Sequence, residues 1–461
     1  MDSVLSEYVE RSDIVGFGVG IIFHNRIIFS KGYGFRDLNT RKAVTPRSLF
    51  HMASVSKLFV ATAIMQLAEQ RRIDLEDKIV DKLPYFRLAD PRYREITVGQ
   101  MLSHLSGMPD VNDYEWNQPQ YDEGSLERYV RSLWNEKLIS DPGKEFHYSN
   151  MAYDILADVI AKVSGLSFEE YTASNILEPI GMKSSTFLKS GVPDSLSTSP
   201  HVYDFERYRM DVSSIYPYNR PHAGSSTLHS NIEDMIRWAY FNLNRGHYNG
   251  KKILSDTVYK ILWKKKHQIG GNRFIGLSWF ISDYHGKTVL SHGGGDTGFR
   301  SYLLLIPEDS TAVVTMGNSD NFQSFGIVKR MLDILYEFPK DTLKAPASAA
   351  FLSIWGSHGL DSAYRYFSNL KELRDPYVDF DDGSLIMLAW PLFDQGNPET
   401  ALQLLELNSR LFPESIWNHQ FKAEVLYHLG RKEEAVQVLK DALEIDPLDT
   451  YTLSLLQKYR S

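Results

Sequence analysis

The chain has 461 residues, enough for two or three domains. It is 43% hydrophobic and 23% charged, an ordinary globular make-up that excludes collagen-like, disordered and disulfide-scaffold readings. With no cysteine, thiol catalysis, disulfides and cysteine-held zinc or iron–sulfur centres are excluded, and 50 Lys+Arg against 58 Asp+Glu leave a charge of −8, not the basic footprint of a nucleic-acid binder.

Read from the start, Met1–Glu7 is polar and lacks the apolar core of a signal peptide, and no apolar run approaches the roughly 18 residues of a membrane span. The chain as it stands reads as cytoplasmic, or as periplasmic or secreted if a leader has been removed. Residues 2–12 predict a short helix with Val4, Leu5 and Val9 as its apolar stripe. Strand-like runs at Phe17–Phe23 and Ile27–Lys31, joined at His24-Asn25-Arg26, predict a hairpin. Helical patterns dominate to about residue 240, and β-rich runs follow at Phe274–Ser282, Lys287–Leu290, Ser301–Ile306 and Thr311–Met316. Strands at both ends with helices between them predict an α+β domain over 1–340, its first and last strands paired in one antiparallel sheet.

The tail has a different pattern. Gly396-Asn397-Pro398-Glu399-Thr400-Ala401 recurs 34 residues on as Gly430-Arg431-Lys432-Glu433-Glu434-Ala435, and Phe412-Pro413 recurs at the same interval as Asp446-Pro447. Glycine at the turn, alanine where two helices cross and a closing proline resemble tetratricopeptide repeats, which assigns 381–461 to an all-α region. Residues 341–380 are expected to be a helical connector, with Ser348–Leu373 as an atypical third unit unless the repeats dock on the catalytic domain, and Asp375–Gly383 as a polar link.

Three segments carry candidate chemistry. In Phe50–Phe59 (FHMASVSKLF), Ser54 and Lys57 stand one helical turn apart ahead of the apolar run Leu58–Ala68. A lysine at the base of an apolar helix favours its neutral amine, a base for the serine hydroxyl; the competing reading is a capping serine with a lysine reaching out to solvent. Ser56 falls on another face. In Tyr148-Ser149-Asn150, ahead of a helix over Met151–Ser164, a tyrosine and an asparagine two apart on extended backbone point the same way. The competing reading is a packed turn tyrosine with a cap. In Ser291–Arg300 (SHGGGDTGFR), glycines admit a substrate to the backbone and a free edge N–H serves an oxyanion, unless the run is only a hairpin turn.

S-x-x-K, then Y-S-N, then a basic residue before glycine resembles the serine β-lactamase and penicillin-binding superfamily. Leu102–Pro109 (LSHLSGMP) and Leu177–Met182 (LEPIGM) resemble its class C-related branch, which also holds D-alanyl-D-alanine peptidases, D-aminopeptidases and esterases. The resemblance implies Ser54 as acylated nucleophile, Lys57 and Tyr148 sharing base work, and Asn150 holding the acyl amide. It also implies an oxyanion hole at the N–H groups of Ser54 and Gly295, with His292, Gly293 and Gly294 lining the substrate. His292 stands where lactamases carry the lysine of K-T-G, as in the branch's peptidases and esterases. Small esters or D-amino-acid peptides and amides are the expected substrates. A β-lactamase, or an interaction module working through 381–461 with a protein partner or second copy, are the alternatives. Aromatic loops at Asp113–Tyr121 and Tyr203–Tyr218 either frame the cleft or pack on the surface, and Arg300 either pairs with a substrate carboxylate or is solvated. No metal pattern occurs, and no metal or cofactor is expected.

Overall fold

Two apolar-rich runs on either side of a two-residue turn build the first hairpin. β1 (Gly16–Phe23) and β2 (Arg26–Gly34) pair antiparallel, with His24 and Asn25 both left-handed at the turn, the twist that a tight hairpin demands. The protein is described here from a computed structural model covering residues 1–339, 343–373, 378–447 and 449–460. Residues 15–201 and 212–339 cluster as one unit; residues 2–14, 202–211 and those from 343 onward cluster as a second.

In the first unit the hairpin joins β3 (His267–Gln268), β4 (Phe274–Ile275), β5 (Phe280–Tyr284), β6 (Lys287–Asp296), β7 (Phe299–Ile306) and β8 (Thr311–Gly317). The antiparallel sheet runs β2-β1-β8-β7-β6-β5-β4-β3, so the first and last long strands are neighbours, Val19 opposite Thr315. The helix Ile232–Leu243 lies on β1, admitted by glycine: a Cβ at Gly18 would come within 2.7 Å of Ile232, and one at Gly20 within 2.8 Å of Ile236. The strand expected over Phe274–Ser282 is broken in two, because Ser278 turns left-handed. Two buried helices, Lys57–Glu69 and Asn150–Ser164, share the main core with the sheet.

The second unit is helical. Ala347–His358 and Leu360–Leu373 are separate helices, parted at Gly359. Gly383–Asp394, Pro398–Leu411, Ile416–His428, Lys432–Ile445 and Thr450–Arg460 follow. The repeated glycines, Gly396 and Gly430, are left-handed at the turns, and the repeated alanines, Ala401 and Ala435, are fully buried where helices pack. Part of the link expected at Asp375–Gly383 lies outside the described residues. The N-terminal helix is Asp2–Arg11, and it buries Leu5 and Tyr8 rather than Val4 and Val9, a stripe shifted round the helix by less than a turn.

Candidate active site

Ser54 does not sit inside the long helix. It occupies a 3-10 turn, Ala53–Ser56, that leads into the helix Lys57–Glu69. Ala53 is left-handed at φ 48°, a strained backbone for a residue with a Cβ, and the carbonyl before it is pinned by Ser301 Oγ at 2.6 Å. Ser56 faces away and its hydroxyl accepts the N–H of Leu228 at 3.0 Å.

Lys57 is completely buried, which overturns the reading of a lysine reaching out to solvent. Its Nζ donates to Ser54 Oγ at 3.0 Å, to Asn150 Oδ1 at 2.5 Å and to the carbonyl of Ser225 at 2.7 Å. Burial pulls its pKa down to about 8, opposed by the carboxylates of Asp110, Asp154 and Asp296. Gly224 lets the Ser225 segment come this close, since a Cβ there would stand 2.2 Å from the Tyr153 carbonyl.

Tyr148 and Asn150 point the same way, as extended backbone requires. The Tyr148 ring lies 5.1 Å from Lys57 Nζ, while Asn150 bonds that nitrogen directly. The intervening Ser149 is the cap of the helix Asn150–Ser164: it accepts from Ala152 N at 3.1 Å and donates to the Pro109 carbonyl at 2.7 Å. The Leu102–Pro109 loop props this segment. His104 is stacked on Tyr148 at 4.3 Å, and its Nδ1 accepts the N–H of Ser149, so burial holds it neutral, well below the usual histidine range. Burial likewise lifts the Tyr148 phenol well above 10, against a bond to Ser54 that pulls it down.

The glycine run is strand, not turn. β6 continues through His292, Gly293, Gly294 and Gly295 to Asp296, with Gly294 opposite Ser301 and Gly295 opposite Arg300. The turn falls later, at left-handed Gly298. On its other side β5 ends opposite Ser291, so His292–Asp296 form a local edge there. A Cβ at Gly294 would meet the Met52 carbonyl at 2.4 Å and Ser54 N at 3.1 Å, so only glycine brings this edge against the Ser54 turn. Buried His292 gives its Nδ1 hydrogen to the Gly293 carbonyl at 2.7 Å, and burial, with the Lys57 charge, lowers its pKa to about 3.

Arg300 is partly exposed but not free. It pairs with Asp320 at 3.0 Å and donates to the carbonyls of Asp296 and Phe299. The aromatic loops divide. Tyr114 stacks on Trp116 and meets His222 edge-on, and Tyr216 stacks on His229, all in the first unit; Tyr203, Phe205 and Tyr208 belong to the helical unit, where they pack with Ser348, Trp355 and Gly356.

Four groups escaped the sequence reading. Asp110 follows the LSHLSGMP run directly, and Asp154 stands four residues past Asn150 on the same helix face; those are the signals that were available. Asp154 accepts from Ser225 N at 3.0 Å and pairs with His222 at 2.8 Å, both ends buried. Asp296 bonds His51 at 2.7 Å and also Ser226. Ser225 acts through its carbonyl, which no side-chain pattern announces. Among the described residues no cluster of ligating side chains is arranged for a metal, and no helix is long and apolar enough to cross a membrane.

The beta-lactamase family model matches residues 1–337. The chain belongs to the beta-lactamase family. A tetratricopeptide-repeat model matches residues 392–459. Among relatives of this beta-lactamase-family chain, Protein flp of Staphylococcus aureus (strain MW2) is 27% identical over 69% of the chain, which spans 62% of that protein's length. Penicillin-binding protein 4* of Bacillus subtilis (strain 168) is 25% identical over 89% of the chain and 92% of its own. Among solved structures, an octameric penicillin-binding protein homologue from Pyrococcus abyssi shares the fold with a TM-score of 0.64, at 23% identity over 80% of both chains. Family membership supports a serine-hydrolase kind of activity.

Proposed function

We propose that this protein is a serine hydrolase working through an acyl-enzyme on Ser54, with small esters or D-amino-acid peptides and amides as substrates. The observation that carries this reading is the set of partners around Lys57 Nζ. A neutral amine has two N–H bonds and one lone pair. Asn150 Oδ1 and the Ser225 carbonyl can only accept, so they take the two N–H bonds and leave the lone pair for the Ser54 hydroxyl. Burial, by bringing Lys57 to about 8, makes that neutral form accessible near neutral pH.

In this reading Ser54 Oγ attacks the substrate carbonyl as its proton passes to Lys57. The N–H groups of Ser54 and Gly295 hold the oxyanion. The bond to the leaving group then breaks, and the proton returns to that group with the Tyr148 hydroxyl as carrier. Water repeats the sequence on the acyl-enzyme and restores the free serine. Tyr148, held protonated, is the donor, and base work falls to Lys57 rather than being shared. Asn150 spends one amide hydrogen on Asp110, leaving the second for a substrate carbonyl. His292 stays neutral, so a β-lactam carboxylate would find no fixed cation there, which favours the ester and amide reading over a β-lactamase. The repeat match supports a protein-interaction role for residues 381–461.

Incubation with benzylpenicillin, followed by intact mass and peptide mapping, tests the nucleophile. The expected adduct is on Ser54, and its lifetime separates hydrolysis from stable acylation. Ser54→Ala should abolish the adduct and cost about a thousandfold or more in aryl-ester turnover. Full esterase activity in that variant would falsify the reading.

A further inference from the structure

Consecutive glycines cannot fix their own backbone, yet an oxyanion donor at Gly295 has to stay in one place. β7 pairs with one side of the run Gly293–Gly295, and on the other side β5 ends opposite Ser291. The run must therefore be pinned from its ends. At the near end His292 gives its Nδ1 hydrogen to the Gly293 carbonyl. At the far end the first side chain is that of Asp296.

Oδ2 of Asp296 gathers donors from two other segments. His51 Nε2 lies 2.7 Å from it, and because a carboxylate only accepts, that nitrogen carries the hydrogen. Ser226 Oγ donates to the same oxygen and stands 3.2 Å from the His51 nitrogen. His51 is fully buried, its ring 5.7 Å from that of Phe299, the residue opposite Asp296 on β7.

Each segment meeting at this oxygen carries a group of the site within three residues. Asp296 follows Gly295, His51 stands three residues before Ser54, and Ser226 follows Ser225, whose carbonyl binds Lys57 Nζ at 2.7 Å. The Ser54 turn has its own need of support, since left-handed Ala53 persists only where its surroundings hold it. Met52 is fixed through its N–H, given to the Leu228 carbonyl at 2.7 Å, and through its carbonyl, bound by Ser301. His51 adds the one side-chain link in this set that runs straight to the residue after Gly295.

We infer that Asp296 is a positioning residue: through His51 and Ser226 it sets the N–H of Gly295 against the N–H of Ser54 and so aligns the oxyanion hole. The inference rests on the serine-hydrolase reading above and deepens it by naming what holds that hole in register. The glycines give the substrate access to the backbone, and the carboxylate beside them supplies the precision. A misplacement of about 1 Å in a reacting geometry costs on the order of a hundredfold.

The test compares 4-nitrophenyl acetate with its thiono analogue, in which sulfur replaces the carbonyl oxygen. Sulfur is larger and a weaker acceptor, so an aligned hole penalises it, and the ratio of the two kcat/KM values reads the alignment. Loss of folded protein cancels in that ratio. Asp296 also opposes the desolvation of Lys57, so rates are taken at about pH 9, above the Lys57 limb. The unaltered protein should favour the oxygen ester. In Asp296→Asn and in His51→Gln the preference should fall about tenfold or more, with kcat dropping more than KM changes. Ser226→Ala deletes a single hydroxyl, disturbs folding least, and should lower the preference about fivefold, the worth of one hydrogen bond. Rates that fall in these variants while the ratio holds would make Asp296 purely structural and overturn the inference. A ratio near one in the unaltered protein, with Ser54 still acylated, would overturn it too and leave the nucleophile standing. If neither ester acylates Ser54, the serine-hydrolase reading falls and the inference falls with it.

Discussion

Lys57 and His292 flank the same tyrosine, and the protein buries both completely, yet the outcome for their charge differs. Desolvation is the largest influence on each, and it drives each toward its neutral form. Lys57 is met by three acceptors and by three carboxylates that oppose the desolvation, and it comes to rest at about 8. His292 has one carbonyl for its Nδ1 hydrogen and a like charge in Lys57, and it falls to about 3. Burial alone therefore does not make a base. A buried group becomes a proton acceptor for catalysis only when counter-charges return its pKa to the working range, and the Lys57 side of the cleft has them while the His292 side does not.

The largest effect that follows is at Lys57 itself. Lys57→Met should lower kcat/KM for an aryl ester by about a hundred- to ten-thousandfold, the usual worth of a positioned base. On the proposed mechanism the active form is the neutral amine. The rate should accordingly climb about tenfold per pH unit at low pH and level off above about 8, where the ammonium has lost its proton. A flat profile between pH 6 and 9 would mean that another group takes the Ser54 proton.

How far this was legible in the sequence follows from the range of each signal. That Ser54, Lys57, Tyr148 and Asn150 come together was legible because their spacing along the chain already puts each pair on one side of its element. The 34-residue repeat showed for the same reason: its glycine and alanine meet local needs for a left-handed turn and a close crossing. What stayed hidden depends on neighbours distant in sequence. The glycines at 293–295 read equally as turn or strand edge, and β7 decides for strand by pairing with them. Arg300 read as solvated or substrate-facing because Asp320, twenty residues on, supplies its partner only in the fold. Tyr203, Phe205 and Tyr208 lie between segments of the first unit in the chain but pack on helices beyond residue 346. The charge of His292 could not be read at all, because a histidine's charge is set by burial and partners rather than by residue type.

A smaller effect sharpens the contrast by removing one counter-charge. Asp154 favours the ammonium form of Lys57, so Asp154→Asn should lower the Lys57 pKa. The rising limb of the pH–rate profile should then move to lower pH by about one unit. Asparagine keeps an oxygen for the Ser225 N–H, so that contact with the segment whose carbonyl binds Lys57 survives the change. A limb that stays in place would show that Asp154 serves only to hold His222 and Ser225. A limb that moves upward would contradict the sign of its charge.

The smallest expected shift is the one that most directly tests the neutral end. If His292 carried a positive charge near neutral pH, as a lysine in that place would, it would repel the Lys57 ammonium, and removing it would raise the Lys57 pKa. The limb in His292→Gln would then move to higher pH. A neutral His292 exerts no such repulsion, so the limb should stay within about 0.3 unit of the unaltered enzyme, on the rule that one unit equals about 1.4 kcal/mol of differential interaction. Turnover should still fall, because glutamine lacks the ring that packs against Phe280 and Tyr148 and replaces the Nε2 acceptor with a longer, freer amide. A change in rate without a change in the limb is the signature of a group that shapes the cleft without charging it. An upward shift would give the β6 end a cation after all and remove the ground for favouring the ester and amide reading over a β-lactamase.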